Sequence, residues 1–278
     1  MPPPDLRIAC VSYLNTVPMV AGLDAAAGVE LIRAVPSRIA GLVESGEADI
    51  GLASVIDLAR ARVPLTAVAR AGMIGCRGRT LTVRLFSRVE PGAITTLHAD
   101  TDSHTSTALA RVILDKQFGV RPNIVDFNAR EQLNSEDAPE TVLLIGDKVV
   151  ASSPPAVRYP HQIDLGEAWA ELTGLPFVYA LWACARDRVD DPKVTLAADL
   201  LERQRKRNAM RADAVIAPEA RRRGWPGDLA REYVGELLHY EVGADERRAA
   251  ETFLAWAAEL GIIDTAALAW SDASAPAP

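Results

Sequence analysis

Hydroxyl and amide side chains follow the first predicted strand, and their types suit the binding of a polar ligand. Ser12, Tyr13 and Asn15 come directly after an apolar strand that ends at Val11. They supply neutral hydrogen-bond donors and acceptors, which can hold carboxylates and hydroxyls without a metal. Pro18 stops the strand from continuing, because proline has no N–H to offer a sheet. The turn therefore indicates a ligand site, and ordinary turn chemistry is the alternative interpretation.

Polar residues also follow later elements of the chain. Thr105 and Ser106 stand near the start of a predicted helix, where they can hold a carboxylate or simply cap the helix. Ser87 ends a predicted strand at a crossing between two parts of the chain. Asp147 follows the apolar strand 141–145 and can be interpreted as a base or as a loop carboxylate. The recurrence strengthens the hypothesis of a ligand site at the strand ends.

Composition and charge narrow the classes of function. The chain has 278 residues, 49% apolar and 24% charged, which is typical of a globular protein large enough for two lobes. Its net charge of −7 argues against a nucleic-acid partner, whose phosphates attract a basic face. A small anionic ligand stays compatible with this charge, because a few donors in a cleft suffice to hold a carboxylate.

Cysteine usage and the absence of targeting signals predict a cytoplasmic protein without a metal or a cofactor. Cys10, Cys76 and Cys184 have no spacing typical of a disulfide framework or a zinc site, and no histidine stands in a metal-binding motif. Glycine-rich nucleotide motifs and a serine-hydrolase elbow are absent as well. The sequence shows no cationic leader, and no apolar run approaches the ~20 residues that a membrane span needs. We therefore expect neither export nor a membrane partner.

Alternating strands and helices predict an α/β fold. The first third of the chain has a βαβα rhythm, which favours a parallel sheet. A break at Pro91-Gly92 starts a second unit, and the final quarter has apolar residues at helical spacing. The predicted strands cover 6–11, 49–53, 80–86, 124–127, 141–145 and 178–184, and the predicted helices cover 37–45, 55–61, 107–118, 194–207, 212–220, 228–237 and 245–260.

These elements predict two lobes joined by two crossing strands. We assign 1–87 and 184–278 to the first lobe and 88–183 to the second, with crossings near Phe86 and Ala183. A cleft between two lobes is a common place for a small ligand.

Several segments of the chain, taken together and in their order, are typical of one known family. They are Ser12-Tyr13-Leu14-Asn15 with Pro18, Gly46 to Ser54, Val83 to Ser87, Thr105-Ser106, Leu144 to Asp147, Leu172 to Trp182, and Tyr240-Glu241-Val242 with Gly261-Ile262-Ile263. Through them the chain resembles the periplasmic-binding-protein-like enzymes of menaquinone biosynthesis, specifically chorismate dehydratase of the futalosine route. The resemblance extends over about 6–264, with departures at Ala53 and His104. It implies an α/β, two-lobed fold like periplasmic binding proteins of type II.

The resemblance implies a carbon–oxygen lyase that converts the small-molecule substrate chorismate to 3-[(1-carboxyvinyl)oxy]benzoate and water. It implies catalytic roles for Asn15 and Asp147. The base is left open between a protein side chain such as Asp147 and the enolpyruvyl carboxylate of chorismate itself, and a homodimer is also left open. The substrate-binding residues that it implies are Ser12, Tyr13, Ser54, Ser87, Thr105 and Ser106.

Three other functions are compatible with the same fold. Dihydroxynaphthoate synthase of the same pathway is one, although the chain has no convincing catalytic histidine. A non-catalytic binding protein for a small carboxylate is another, and the missing export signal argues against it. The effector domain of a regulator is the third, and no basic helix-turn-helix module accompanies it.

Overall fold

The computed structural model describes residues 5–128 and 138–272, which form two β-sheets with helices packed on them. The strands are β1 (Leu6–Cys10), β2 (Val29–Arg33), β3 (Ile50–Ser54), β4 (Leu65–Val68), β5 (Met73–Cys76), β6 (Val83–Ser87), β7 (Thr96–Asp100), β8 (Asn123–Phe127), β9 (Thr141–Ile145), β10 (His161–Asp164), β11 (Phe177–Ala185), β12 (Leu238–His239) and β13 (Ala269–Ser271). The helices are α1 (Val17–Val20), α2 (Pro36–Glu44), α3 (Val55–Arg60), α4 (His104–Phe118), α5 (Asp147–Ala151), α6 (Leu165–Thr173), α7 (Pro192–Ala209), α8 (Ala212–Arg222), α9 (Gly227–Glu232) and α10 (Ala244–Glu259).

The first sheet takes its strands from both ends of the chain. Its order is β12-β5-β11-β3-β1-β2, with β4 paired to β11 and β13 paired to β4. β1 lies parallel to β2 and β3, as the βαβα rhythm predicts, whereas β11 runs antiparallel to β3. The sheet is mixed because β11 returns from the second sheet, by way of α6, in the direction opposite to β3. All five residues of β3 are buried, which confirms that this strand is covered on both faces.

The second sheet is formed by the middle of the chain, with the order β10-β6-β9-β7-β8. β7 is parallel to β8 and β9, and β6 is antiparallel to its neighbours β9 and β10. The helix α4 begins at His104, three residues before the predicted start, because Ser103 is its N-cap and accepts a hydrogen bond from the N–H of Ser106.

The chain crosses between the sheets earlier than the sequence predicts. β6 belongs to the second sheet and β11 to the first, so the crossings lie between Cys76 and Val83 and between Asp164 and Phe177. The assignment of 83–87 to the first lobe and of 177–183 to the second therefore disagrees with the sheets. An amphipathic or apolar strand fits either sheet equally well, and its sequence does not reveal its partners.

One carboxylate fixes the first crossing. Asp164 accepts hydrogen bonds from the N–H groups of Thr80 (2.9 Å) and Leu81 (2.7 Å). Leu81 has a φ of 66°, and no other non-glycine residue of the described chain has a positive φ. Such a conformation is unfavourable for a branched side chain and persists where surrounding contacts hold it. These bonds stabilise the turn that places Thr80 and Thr82 between the two sheets.

An aromatic cluster fixes the second crossing. Trp169 on α6 packs edge-on against Phe177 at the start of β11, with 5.3 Å between the ring centroids, and against Phe253 on α10 at 6.1 Å. The Trp169 indole also donates to the carbonyl of Pro176 at 2.9 Å. Since Trp169 and Phe177 are fully buried, truncating either ring would cost several kcal/mol, about 3–5 for an aromatic-to-alanine change.

Candidate active site

A cavity of about 590 Å³ lies between the two sheets, at the crossings. Its walls are apolar side chains together with neutral hydroxyls and one amide. Among the residues that the structure describes, no charged side chain lines it. Neutral donors at fixed positions can orient an anionic or hydroxylated ligand without forming an ion pair. The polar lining residues are Tyr13, Asn15, Ser54, Thr80, Thr82, Ser103, Ser106, Tyr179 and Tyr233.

Asn15 is held in the cavity wall by a tight turn. It lies in the 3₁₀ turn Leu14–Thr16 that follows β1. The Thr16 hydroxyl lies 2.9 Å from the carbonyl of Val11 and 2.8 Å from that of Tyr13, so it closes the turn. The Asn15 amide hydrogen-bonds the hydroxyl of Tyr233, while its Oδ1 is buried with no protein partner among the described residues. An unpaired buried acceptor costs about 1–3 kcal/mol, so this oxygen is well placed to receive a ligand hydroxyl.

Tyr233 joins two of the cavity's polar groups. Its hydroxyl lies 2.7 Å from the hydroxyl of Thr82, and its ring stacks on Trp225 with 5.0 Å between centroids. Burial raises the pKa of Tyr233, so the hydroxyl stays protonated at neutral pH. The residue begins the π-helical turn Tyr233–Leu237, a geometry that is rare and often occurs at functional sites.

The start of α4 supplies the opposite wall. Ser103 and Ser106 line the cavity, and their hydroxyl oxygens are 3.0 Å apart. Thr105, which the sequence places in the site, is instead buried between lobes, where its hydroxyl accepts the N–H of Ile56 at 3.3 Å. Successive residues of a helix point in different directions, so Thr105 and Ser106 cannot share one contact.

Tyr13 connects the cavity to a buried group of charges in the second lobe. Its hydroxyl donates to Asp102 at 3.1 Å, and Lys148 also binds Asp102 at 2.8 Å and forms an ion pair with Asp100. Burial raises the pKa of Asp100, an effect that the Lys148 ammonium opposes. Tyr13 thus lies in the cavity wall with its hydroxyl fixed by a carboxylate.

Asp147 lies behind the cavity wall rather than in it. Its neighbour Gly146 lines the cavity, while the Asp147 carboxylate pairs with Arg223 at 3.5 Å and accepts the N–H of Leu14. Burial raises the pKa of Asp147, and the Arg223 charge opposes the rise. The carboxylate supports the turn that carries Asn15, and its role as a base stays a prediction.

The predicted serines differ in position. Ser54, at the end of β3, lines the cavity as expected. Ser12 is exposed, lies outside the cavity, and its carbonyl accepts a hydrogen bond from Arg223 at 2.8 Å. Ser87 does not line the cavity, because β6 begins at the cavity with Val83 and ends with Ser87, whose hydroxyl is hydrogen-bonded to Val89 and Thr141. The strand direction, not the hydroxyl, decides which end meets the cleft.

Sequence reasoning missed five polar residues of the wall, namely Thr80, Thr82, Ser103, Tyr179 and Tyr233. Two hydroxyls immediately before a crossing strand were an available signal for Thr80 and Thr82. Ser103 was visible only as a cap. Tyr179 and Tyr233 carried no chemical signal, because a tyrosine within the predicted strand 178–184 or the predicted helix 228–237 is equally typical of the core.

No group of three or more His, Cys, Asp or Glu side chains in 5–128 and 138–272 is arranged to hold a metal ion. Likewise, no helix in those two ranges has the length and apolar character to cross a bilayer.

The fold belongs to a class known from solved structures. The chain superimposes on a protein from Archaeoglobus fulgidus with a TM-score of 0.69 at 14% identity, covering 93% of this chain and 98% of that one. It superimposes on the periplasmic aliphatic sulphonate binding protein of Escherichia coli with a TM-score of 0.64 at 12% identity, covering 94% of each chain. A Candida albicans protein described as having the generic periplasmic binding protein fold gives 0.66 at 11% identity, with 94% of this chain and 92% of that one covered. These likenesses establish a periplasmic-binding-protein-like fold.

Sequence comparison identifies the family within that class. The profile of a menaquinone biosynthesis family matches residues 6–259, and the chain belongs to this family. A chorismate dehydratase from Thermus thermophilus is 29% identical over 228 residues, which cover 77% of this chain and 81% of that protein. The resemblance found in the sequence, both to the fold and to the family, is thereby confirmed.

Proposed function

We propose that this protein is a chorismate dehydratase, a carbon–oxygen lyase that releases 3-[(1-carboxyvinyl)oxy]benzoate and water in menaquinone biosynthesis by the futalosine route. The observation that carries the proposal is the uncharged cavity around Asn15, whose buried Oδ1 has no partner among the described residues. The family membership and the Thermus thermophilus relative support the same reaction.

The reaction suits a site that orients rather than attacks. Chorismate loses the C3 proton and the C4 hydroxyl, and the electrons of the C3–H bond complete an aromatic ring. Atoms and charge balance without an oxidant or a reductant. The product is strongly favoured, so the enzyme has to position the leaving hydroxyl and the base.

Asn15 is the residue that we place at the leaving hydroxyl. Its Oδ1 can accept a hydrogen bond from that hydroxyl, while Tyr233 fixes the amide side of the same group. The hydroxyls of Ser54, Ser106 and Thr82 then remain for the substrate's carboxylates. Hydrogen bonds from preorganised hydroxyls hold a carboxylate in one orientation at little reorganisation cost.

For the base we favour the enolpyruvyl carboxylate of chorismate over Asp147. The cavity lining contains no carboxylate or imidazole among the described residues, and Asp147 is engaged with Arg223 and the Leu14 N–H. A general base must reach the proton directly or through one water, which the substrate's own carboxylate can do.

We also propose that the protein works in the cytoplasm. Cys10, Cys76 and Cys184 are buried free thiols, and burial raises the pKa of each above its ordinary value, to about 11 for Cys10 and Cys184. Thiols of this kind fit a reducing compartment. Fractionation of the native cells with an antibody to the protein tests the assignment, and recovery from the exported fraction would overturn it.

The test of the function is incubation of the purified protein with chorismate, without added metal or nucleotide. We expect the loss of one water by mass, at a rate above the uncatalysed background, and retention of the enolpyruvyl group. Saturable binding of chorismate without turnover would instead favour a binding protein, which the fold also accommodates. If chorismate were neither bound nor converted, the proposal would be contradicted. Later intermediates of the pathway would then be assayed.

A further inference from the structure

A second cavity, of about 560 Å³, lies on the other side of Ser103 from the candidate active site. Arg60 at the end of α3 forms one wall, and His104 and Arg111 on α4 form another. Helix α3 belongs to the segment that builds the first sheet, and α4 to the segment that builds the second. The second cavity therefore lies at the seam between the two lobes.

Arg111 is unusual in this chain. Within the described residues it makes no ion pair and no hydrogen bond, whereas every other partly buried arginine there makes at least one. Arg223, for example, pairs with Asp147, and Arg88 donates to the carbonyl of Ala138 at 2.7 Å. A guanidinium keeps its proton in proteins, so this charge lacks a protein partner.

The acidic groups near Arg111 are engaged elsewhere or exposed. Asp57 binds the His104 ring at 2.8 Å, and Asp100 pairs with Lys148. Asp126 lines the second cavity but is exposed, so water screens it. Burial and the charge of Arg60 lower the pKa of Arg111, which indicates that the two guanidinium groups repel each other. Arg60, which also donates to the carbonyl of Ile262 at 3.0 Å, and Arg111 thus share the second cavity with the exposed Asp126 and with Asp100, whose charge Lys148 balances.

We propose that the second cavity binds a small oxyanion, carrying a phosphate or carboxylate group, between Arg60 and Arg111. A guanidinium presents parallel N–H donors that match two oxygens of such a group. The anion would remove the repulsion between the two arginines and connect α3 to α4. Because these helices come from different lobes, occupancy would stabilise their present arrangement around the candidate active site.

Calorimetric titration of the purified protein tests the proposal, with inorganic phosphate and malonate as separate probes in a buffer of low, constant ionic strength. We expect saturable binding of at least one probe, and Arg111→Gln to weaken it at least tenfold, about 1.4 kcal/mol. Stronger binding of phosphate would identify a phosphate-bearing ligand, and stronger binding of malonate a carboxylate. Absence of saturable binding by either probe up to roughly 20 mM would overturn the proposal.

Two further variants locate the bound anion. Arg158→Gln removes an exposed arginine of the second lobe that lines neither cavity, and we expect it to leave the affinity within about twofold. Asn15→Ala alters the candidate active site alone and should do the same. Equal weakening by Arg158→Gln, or loss of binding in Asn15→Ala, would refute the second cavity as the site. Should Arg111→Gln fail to fold by circular dichroism, Arg60→Gln and Arg111→Lys replace it with the same expectation.

Discussion

The two cavities on either side of Ser103 differ in the charge of the side chains that line them. The candidate active site, about 590 Å³, is lined by neutral hydroxyls, an amide and apolar side chains. The second cavity, about 560 Å³, is lined by ionisable side chains, namely Arg60, Arg111, His104, Asp100 and Asp126. Oriented neutral donors can position a ligand for reaction, and guanidinium groups can hold an oxyanion through charge-assisted hydrogen bonds. The difference predicts chemistry in the first cavity and binding in the second.

Asn15→Ala should have the largest effect, and it is confined to the first cavity. Loss of the Oδ1 acceptor and of the bond to Tyr233 should reduce kcat/KM for chorismate by about 100-fold or more, comparable to the removal of one transition-state hydrogen-bonding group. Steady-state kinetics measure the change. Asn123→Ala, at an exposed strand start, is the matched control and should keep full activity. Near-normal turnover by a folded Asn15→Ala protein would contradict the assigned role.

Tyr233→Phe should have the next largest effect. The ring can still stack on Trp225, but the hydroxyl that joins Thr82 to Asn15 is lost. We expect kcat/KM to fall about tenfold, the value of one hydrogen bond of about 1.4 kcal/mol.

The control for that change is Tyr159→Phe. Tyr159 is also fully buried, and its hydroxyl donates to the carbonyl of Pro139 at 2.6 Å, outside both cavities. This variant should lose stability without losing activity. If both variants lost activity in proportion to their stability, the hydroxyl of Tyr233 would have only a structural role.

The positions of the site residues show what the sequence could and could not predict. β1, β3, α2, α3 and β9 follow from local apolar patterns, and the turn at Asn15 follows from its position after β1. The apolar pattern of β7 is weak and β10 is short, and none of the predicted helices covers α6. Tyr179 and Tyr233 reach the cavity because the chain returns to the first sheet twice, and such long-range pairing leaves no mark on a local pattern.

Ser87 and Asp147 show a different limit of sequence reasoning, since both are polar residues at strand ends that do not line the cavity. Ser87 ends β6, but β6 runs away from the cavity, so its hydroxyl meets Thr141 instead. Asp147 follows β9 at the cavity, but Arg223 from the last third of the chain covers it. The direction of β6 decided the position of Ser87, and a distant arginine decided the partner of Asp147. Neighbouring residues in the sequence predict neither the direction of a strand nor a distant partner.

Asp147→Asn should have a smaller effect than the two changes above. Because Asp147 supports the Asn15 turn through the Leu14 N–H, the variant should reduce kcat/KM only a few-fold, about 1 kcal/mol or less. Its activity should keep the same dependence on pH as the unchanged protein. A loss of about 1,000-fold with the acidic limb of the pH profile removed would instead establish Asp147 as the base.

His104 gives the smallest expected effect, and it concerns the second cavity. Its ring nitrogen lies 2.8 Å from Asp57, and this hydrogen bond raises the pKa of His104, an effect that burial and Arg60 oppose. A raised pKa in the folded state means that the pair stabilises the protein fully below the unfolded value of about 6.5, and that this stability is lost as the pH rises through the folded pKa. His104 is 43% exposed, so water screening limits the contribution to less than about 1 kcal/mol.

Urea unfolding at about pH 5.5 and about pH 8.5 measures this contribution. The free energy of unfolding should fall between these two values by more in the unchanged protein than in His104→Gln. His161→Gln is the matched control, since its ring lies 3.6 Å from a largely exposed Glu90. Asp126 and Arg60 also face His104, and their charges are the same in the variant and the unchanged protein. Phosphate should be absent from these buffers, because an anion in the second cavity would itself hold α3 to α4 and mask the loss of the His104–Asp57 pair. An identical pH dependence in His104→Gln would show that the seam is stabilised by packing alone.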